Sequence, residues 1–230
     1  VRSIDWRATA RATDVLVRTW RPERNRHVLM VLDTGRVAAG RVGAGTRLDV
    51  AVEAALLLGG LAAAAGDTVD LLAYDRRVRA SVQGESATTL LPALVDAMAT
   101  LEPALVETDA RGLVGTVLSR TPRRTLVVLL TTLEAEPVRA GLLPVLGPLA
   151  TRHDVVVCSV SDPRLAEMAA TRGDAAGVYG AAAAERTIGQ RRRVAEELRR
   201  RGVEVVDAGP DELAPRLADT YLALKAAARL

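Results

Sequence analysis

The clearest pattern in the chain is a series of short, almost continuous apolar runs, each stopped by polar residues and separated from the next by helical sequence. His27 to Leu32 reads HVLMVL and ends at Asp33, Thr125 to Leu130 reads TLVVLL, and Val155 to Val160 reads VVVCSV. Val69 to Tyr74 and the short Val203 to Val206 complete the set. Strands apolar on both faces belong inside a parallel sheet covered by helices. Val78 to Val82 differs, because Arg79 and Ser81 alternate with apolar residues. Alternation leaves one face in water, so this strand is predicted at an antiparallel edge, joined to its neighbour through a short turn at Asp75-Arg76.

The intervening segments read as helices. Thr46-Arg47-Leu48-Asp49 resembles a capping box, a hydroxyl at the N-cap with a carboxylate three residues on, and predicts a helix from there to about Gly66. Further helices are expected at about Thr89 to Leu101, Asp109 to Ser119 and Glu185 to Arg201, with Ala181 to Ala184 also helical. The resulting order, βαββααβαβααβα, predicts a Rossmann-like α/β three-layer sandwich with a mostly parallel central sheet and one antiparallel edge strand. Ligands of such sheets bind beyond the carboxyl ends of the strands, where the strand order reverses. That edge carries Asp33, Thr132, Ser161 and Asp207. Residues 1–26 are rich in charge, with a β-like segment Val15 to Trp20 stopped by Arg21-Pro22. They are read as an arm or edge strand of the same domain, Trp6 and Trp20 packing it down, and residues 27–230 as the domain proper.

Composition narrows the picture. With 230 residues and 49% hydrophobic content the chain can bury one substantial core. Having no Phe and only 2% aromatic residues, that core must be Leu, Val and Ala. The 31 basic and 28 acidic residues nearly cancel, so no strong field selects a nucleic-acid partner. Cys158 is the lone cysteine and sits in an apolar run, which predicts a packing role, no disulfide and a reducing, cytoplasmic setting. The longest weakly polar stretch, Ala54 to Gly66, is broken by Gly59-Gly60 and falls short of the roughly 20 residues that span a bilayer. No signal peptide is seen, and the chain is read as the cytoplasmic part of a longer protein that a membrane anchor could precede.

Several separated stretches resemble one family. IDWRATAR (Ile4 to Arg11), RPERNRHVLMVLDTGR (Arg21 to Arg36), TRLDVAVEAALLL (Thr46 to Leu58) and the tail from Gly202 to Leu230 are similar to the bacterial domain-of-unknown-function family 58. The resemblance implies a von Willebrand factor A-like fold, a gene context with MoxR-type AAA+ ATPases, and an N-terminal membrane anchor in many members. It implies no established enzymatic activity. The expected function is therefore a protein-interaction module, an adaptor or partner of a MoxR-type ATPase in protein maturation or envelope stress.

Domains of this type commonly hold Mg²⁺ through a D-x-S-x-S loop, a Thr from a second loop and an Asp after the fourth strand, because a small hard cation needs near-octahedral oxygen ligands. The corresponding loop here is Asp33-Thr34-Gly35-Arg36-Val37. Asp33 matches, Gly35 and Val37 stand where the serines would be, and Thr132 stands where the Asp would be. Thr108 or Asp109 could supply the middle-loop oxygen. A degenerate site and no resident cofactor are expected, with Asp33, Thr108 and Asp109 the remaining metal-ligand candidates. Asp33 could equally cap the N–H groups of its own loop. A metal-free variant has Arg36, Arg41 or Arg47, with the free N–H groups near Thr46, holding an acidic group; the competing reading is a solvated, mobile loop.

No enzyme motif stands out. Gly40 to Gly45 is neither G-x-G-x-x-G nor a Walker loop, no G-x-S-x-G elbow is present, and His27 and His153 both start strands, at the edge opposite Asp33. Two alternatives remain: a metal-dependent hydrolase using Asp33 and Thr132, and an anionic membrane or nucleic-acid binder using Arg191-Arg192-Arg193 and Arg199-Arg200-Arg201. Glu185, Glu196 and Glu197 dilute that basic surface, so the helix face is read as solvated.

Overall fold

The computed structural model describes residues 3–4, 17–18, 26–171 and 173–227. Trp6, Trp20 and most of the N-terminal segment expected as an arm lie outside them; within it Ser3–Ile4 pairs antiparallel with Val17–Arg18 as a two-stranded ladder.

Six strands form the central sheet: β1 (His27–Asp33), β2 (Thr68–Tyr74), β3 (Val78–Val82), β4 (Leu126–Thr131), β5 (Asp154–Val160) and β6 (Glu204–Ala208). Their order is β6-β5-β4-β1-β2-β3, every pairing parallel except β2 with β3. Among the described residues seven helices accompany them: α1 (Arg47–Ala64), α2 (Leu90–Met98), α3 (Ala110–Arg120), α4 (Gly147–Arg152), α5 (Pro163–Ala170), α6 (Ala175–Arg199) and, after the last strand, α7 (Pro210–Ala226). A single π-helical turn, Pro137–Leu142, precedes α4. The predicted α/β sandwich with one antiparallel edge strand is what forms.

Alternation along the strands splits the core into two layers. Val28, Met30 and Leu32 of β1 face one way, with Ala54 and Leu58 of α1, Leu94 of α2 and Leu217 of α7. Leu29 and Val31 face the other, with Leu113 and Val117 of α3, Leu149 of α4 and Val194 and Leu198 of α6. Small residues let the layers close. An added Cβ at Gly59 would stand 2.7 Å from a Leu94 methyl, so a glycine inside α1 marks the close approach of α1 and α2.

Two departures from the sequence expectations have simple causes. Helix α6 begins at Ala175 rather than near Glu185, because Asp174 caps it by accepting from Gly177 N–H at 2.7 Å. Arg191 is not part of a solvated face. It stands three, four and seven residues before Val194, Ala195 and Leu198, on the inward side, and is 6% exposed. Its guanidinium donates to Ser159 Oγ (3.0 Å), Val160 O (3.1 Å) and Asp207 Oδ1 (2.6 Å), tying α6 to the ends of β5 and β6.

At the amino-terminal edge of the sheet, His27 is bound by Asp70 at 2.8 Å, and Asp67 accepts from Tyr221 Oη (2.5 Å) and Lys225 Nζ (2.9 Å), fixing α7 to the start of β2. His153, between α4 and β5, is 2% exposed. Burial holds its pKa below the usual histidine value, helped by Arg152 and Arg124.

Replacing Leu58 (1% exposed) by Ala should cost about 2–5 kcal/mol of unfolding free energy, whereas Leu57→Ala next to it (46% exposed) should stay within about 0.5 kcal/mol; urea titration of both variants checks this. Because the folded state depresses the His153 pKa, folding is favoured while the ring is neutral, above about pH 6.5, and that contribution is lost as pH falls toward the folded value. The stability difference between the native chain and His153→Gln should accordingly shrink between pH 7 and pH 5, as followed by urea unfolding across that range.

Candidate functional site

The strand order reverses at β1, whose neighbours β2 and β4 lead to opposite edges of the sheet. The last residue of β1 is Asp33, so its carboxylate stands at the switch point. It is 8% exposed. An ionised carboxylate so deep in the protein needs several donors, and three converge on it. Oδ1 accepts from Gly35 N–H at 2.9 Å and from Thr108 Oγ1 at 2.5 Å; Oδ2 accepts from Thr131 Oγ1 at 2.6 Å. Hydrogen bonds to a charged group each contribute about 1.5–3 kcal/mol, enough between them to keep the carboxylate in place.

Each donor arrives for an identifiable reason. Thr131 follows the last in-register pair, Leu32 with Leu130, and so stands beside Asp33 across the parallel ladder. Thr108 is delivered by the 102–109 loop, which is laced to the β1 end by Ala104 N–H to Thr34 O (2.7 Å) and Arg36 N–H to Val106 O (2.8 Å). Gly35 makes the approach possible: an added Cβ there would lie 2.1 Å from Thr108 Oγ1 and 2.9 Å from Val106 O. The missing side chain at position 35 and the threonine at 108 are thus one packing solution.

The other residues singled out from the sequence are placed as follows. Thr34 is fully buried, and its hydroxyl has no hydrogen-bond partner among the described residues. Thr132 is buried and accepts from Glu134 N–H at 3.2 Å, turned to its own loop and not to Asp33. Asp109 caps α3, accepting from Gly112 N–H at 3.0 Å. Of the two middle-loop candidates it is Thr108 that meets Asp33.

The three loop arginines do not converge. Arg36 pairs with Glu107 at the surface, Arg47 meets Glu134 at 2.5 Å, and Arg41 donates to Ala44 O at 3.0 Å. The loop itself is ordered into a 3-10 turn, Arg36–Ala39, and a small hairpin pairing Arg41–Val42 with Gly45–Thr46, whose turn uses Gly43 at φ 62°. The capping box forms as read: Asp49 Oδ2 accepts from Thr46 N–H at 2.6 Å, and Thr46 Oγ1 from Asp49 N–H at 3.2 Å. Asp49 therefore already occupies the start of α1.

Beside Asp33 a cavity of about 400 Å³ opens between α3 and the Pro137–Leu142 turn. Its walls are mainly apolar, from Val31, Leu113, Leu129, Val138 and Leu142, and its mouth carries Asp33, Arg36, Glu107 and Glu136. His27 and His153 are at the far edge of the sheet, and burial pushes the Cys158 thiol pKa up. Among the described residues no group of three His, Cys, Asp or Glu side chains is arranged to hold a metal ion.

Sequence reasoning missed Thr131, Glu107 and Glu134, all three of which lie in the loops or strand ends that build the corner. Only Thr131 had a readable signal, since two buried parallel strands in register bring their terminal residues together. The Gly35–Thr108 contact can be checked by a double-mutant cycle. Gly35→Ala should cost about 1–3 kcal/mol in the native chain and measurably less in a Thr108→Ala background, as read by denaturant unfolding.

Among solved structures the fold is similar to a crystal structure of the SpRpn10 VWA domain, with 9% sequence identity and a TM-score of 0.46, covering 85% of this chain and 94% of that one. No match is found among the curated proteins. Residues 1–207 match the family described as protein of unknown function DUF58, and the chain belongs to that family.

Proposed function

We propose that the chain is a non-enzymatic protein-interaction module that offers the carboxyl-terminal rim of its sheet to a partner, and that it does so without a divalent cation. The observation that carries this reading is the satisfied state of Asp33. Gly35, Thr108 and Thr131 supply it with protons from three sides. Mg²⁺ in a protein site asks for near-octahedral oxygen donors at about 2.0–2.1 Å. The donor set here does not fit: of the carboxylates near the corner only Asp33 is bound by Thr108 and Thr131, Glu107 and Glu134 are paired with Arg36 and Arg47, Asp109 is committed to capping α3, and positions 35 and 37 carry no side-chain oxygen. The Thr108 and Thr131 hydroxyls, which could otherwise serve, donate inward to Asp33.

The same corner is poorly supplied for hydrolysis. A general base within reach of the cavity would have to be Asp33, Glu107 or Glu136, and no serine or cysteine nucleophile lines it. The family resemblance supplies the partner: a MoxR-type AAA+ ATPase, for which this domain would act as an adaptor or present substrates during protein maturation or envelope stress. A cytoplasmic position follows from that partnership. Among the described residues no helix is long and apolar enough to cross a membrane.

The test is co-purification of the protein with the ATPase encoded beside its gene, in nucleotide-free buffer with either Mg²⁺ or EDTA. Equal recovery in both buffers is expected, together with loss of the complex in a rim variant, Leu105→Asp with Glu107→Arg. Recovery that needs Mg²⁺ and disappears in Asp33→Ala would contradict the metal-free reading; metal-dependent turnover lost in the same variant would make the domain a hydrolase.

A further inference from the structure

The cavity beside Asp33 has a size, a lining and a charge that together specify an occupant. At about 400 Å³ it lies within the range of ligand pockets and accommodates one large apolar side chain with room at the mouth. Val31, Leu113, Leu129, Val138 and Leu142 make its interior a place for hydrocarbon. Three carboxylates, Asp33, Glu107 and Glu136, stand against a single cation, Arg36. That cation is already taken up by Glu107. Glu136 is exposed, and the cation it feels, Arg139, is ion-paired with Glu197, so the lining itself carries more negative than positive charge. Leu105, on the loop that brings Thr108 to Asp33, is an apolar side chain that is 80% exposed.

We infer that this cavity is a recognition pocket for a basic, apolar peptide segment: a leucine-like side chain of the partner fills it, and an arginine or lysine beside that residue meets Glu136. The inference rests on the interaction-module reading and adds the chemistry of what is recognised. It also reverses the sign expected if the loop arginines held an acidic group. Arg36 and Arg47 are paired with Glu107 and Glu134, Arg41 is exposed and does not line the cavity, and Asp49 already occupies the start of α1, whereas Asp33, Glu107 and Glu136 border the open space. The partner's anchoring residue is thus apolar and its neighbour cationic.

Two blocked pentapeptides, Gly-Arg-Leu-Arg-Gly and Gly-Glu-Leu-Glu-Gly, serve as probes of the whole protein, with methyl resonances of Leu113, Val138 and Leu142 followed by NMR. The basic peptide is expected to shift these methyls saturably and the acidic one to leave them unmoved. Changing the peptide's leucine to alanine should weaken binding about tenfold or more, and Glu136→Gln roughly twofold to fivefold. Gly141→Leu, whose added Cβ meets only Ala110 Cβ at an ordinary 3.6 Å, fills the cavity from its own wall and should abolish the shifts while the rest of the spectrum stays folded. No binding by the basic peptide, equal binding of both peptides, or unchanged binding by Gly141→Leu overturns the inference. Leucinamide binding as tightly as the basic peptide also overturns it, because the pocket would then take a small molecule. ATPase complex formation that survives in Gly141→Leu would sink the pocket assignment while leaving the interaction-module reading intact; absence of any complex with the native chain would sink that reading instead.

Discussion

A carboxylate held inside a protein by three hydrogen bonds from three different segments constrains what is packed around it. Asp33 sits where the strand order of the sheet reverses, and its partners come from its own loop, from the 102–109 loop and from the neighbouring strand β4. Losing any one leaves a buried charge short of a donor, at a cost of about 1–3 kcal/mol or more. The carboxylate therefore acts as a clamp that sets the relative positions of three segments, and those positions define the mouth of the adjoining cavity. Thr34 N–H to Tyr74 O (2.9 Å) and Asp109 N–H to Asp75 O (2.9 Å) extend the same stitching to the end of β2.

The clamp also explains how this corner differs from the D-x-S-x-S pattern without becoming a void. A serine at position 35 would drive its Cβ into the space that Thr108 Oγ1 fills. With glycine there, the threonine comes in, and a protein hydroxyl meets the carboxylate in its place. The result is a rigid rim with apolar walls and acidic edges, a surface suited to recognition. Two of the loop arginines are paired with carboxylates, Arg36 with Glu107 and Arg47 with Glu134, while Arg41 stays exposed with one hydrogen bond to the Ala44 carbonyl.

How much of this was legible in the sequence depends on the range of the interaction. The strands were readable because burial on both faces leaves continuous apolar runs, and β3 because Arg79 and Ser81 break the run at alternate positions. The α1 capping box was readable because its partners are three residues apart. Asp33 stood out by its position after the first buried strand. Of its donors, Thr108, 75 residues away, is reached only through the family pattern and shared with Asp109, and Thr131, 98 residues away, is not singled out at all. Thr132 takes the place of Thr131 in the sequence reading because the two are neighbours in the chain and only the register of β4 against β1 tells which one meets Asp33; Thr132 faces its own loop. Arg191 was misjudged for the opposite reason: the triplet Arg191-Arg192-Arg193 suggests a solvated face, but the three-and-four spacing to Val194, Ala195 and Leu198 puts its first member inside.

The central claim is that protein hydroxyls and a backbone N–H, rather than a cation, satisfy Asp33. The most direct measurement is the ¹³C carboxyl resonance of Asp33, followed while Mg²⁺ is added to the isolated protein. No saturable shift is expected up to millimolar Mg²⁺, with Thr108 and Thr131 hydroxyl protons slow to exchange throughout. A saturable movement of that resonance, with release of the two hydroxyls into fast exchange, would contradict it.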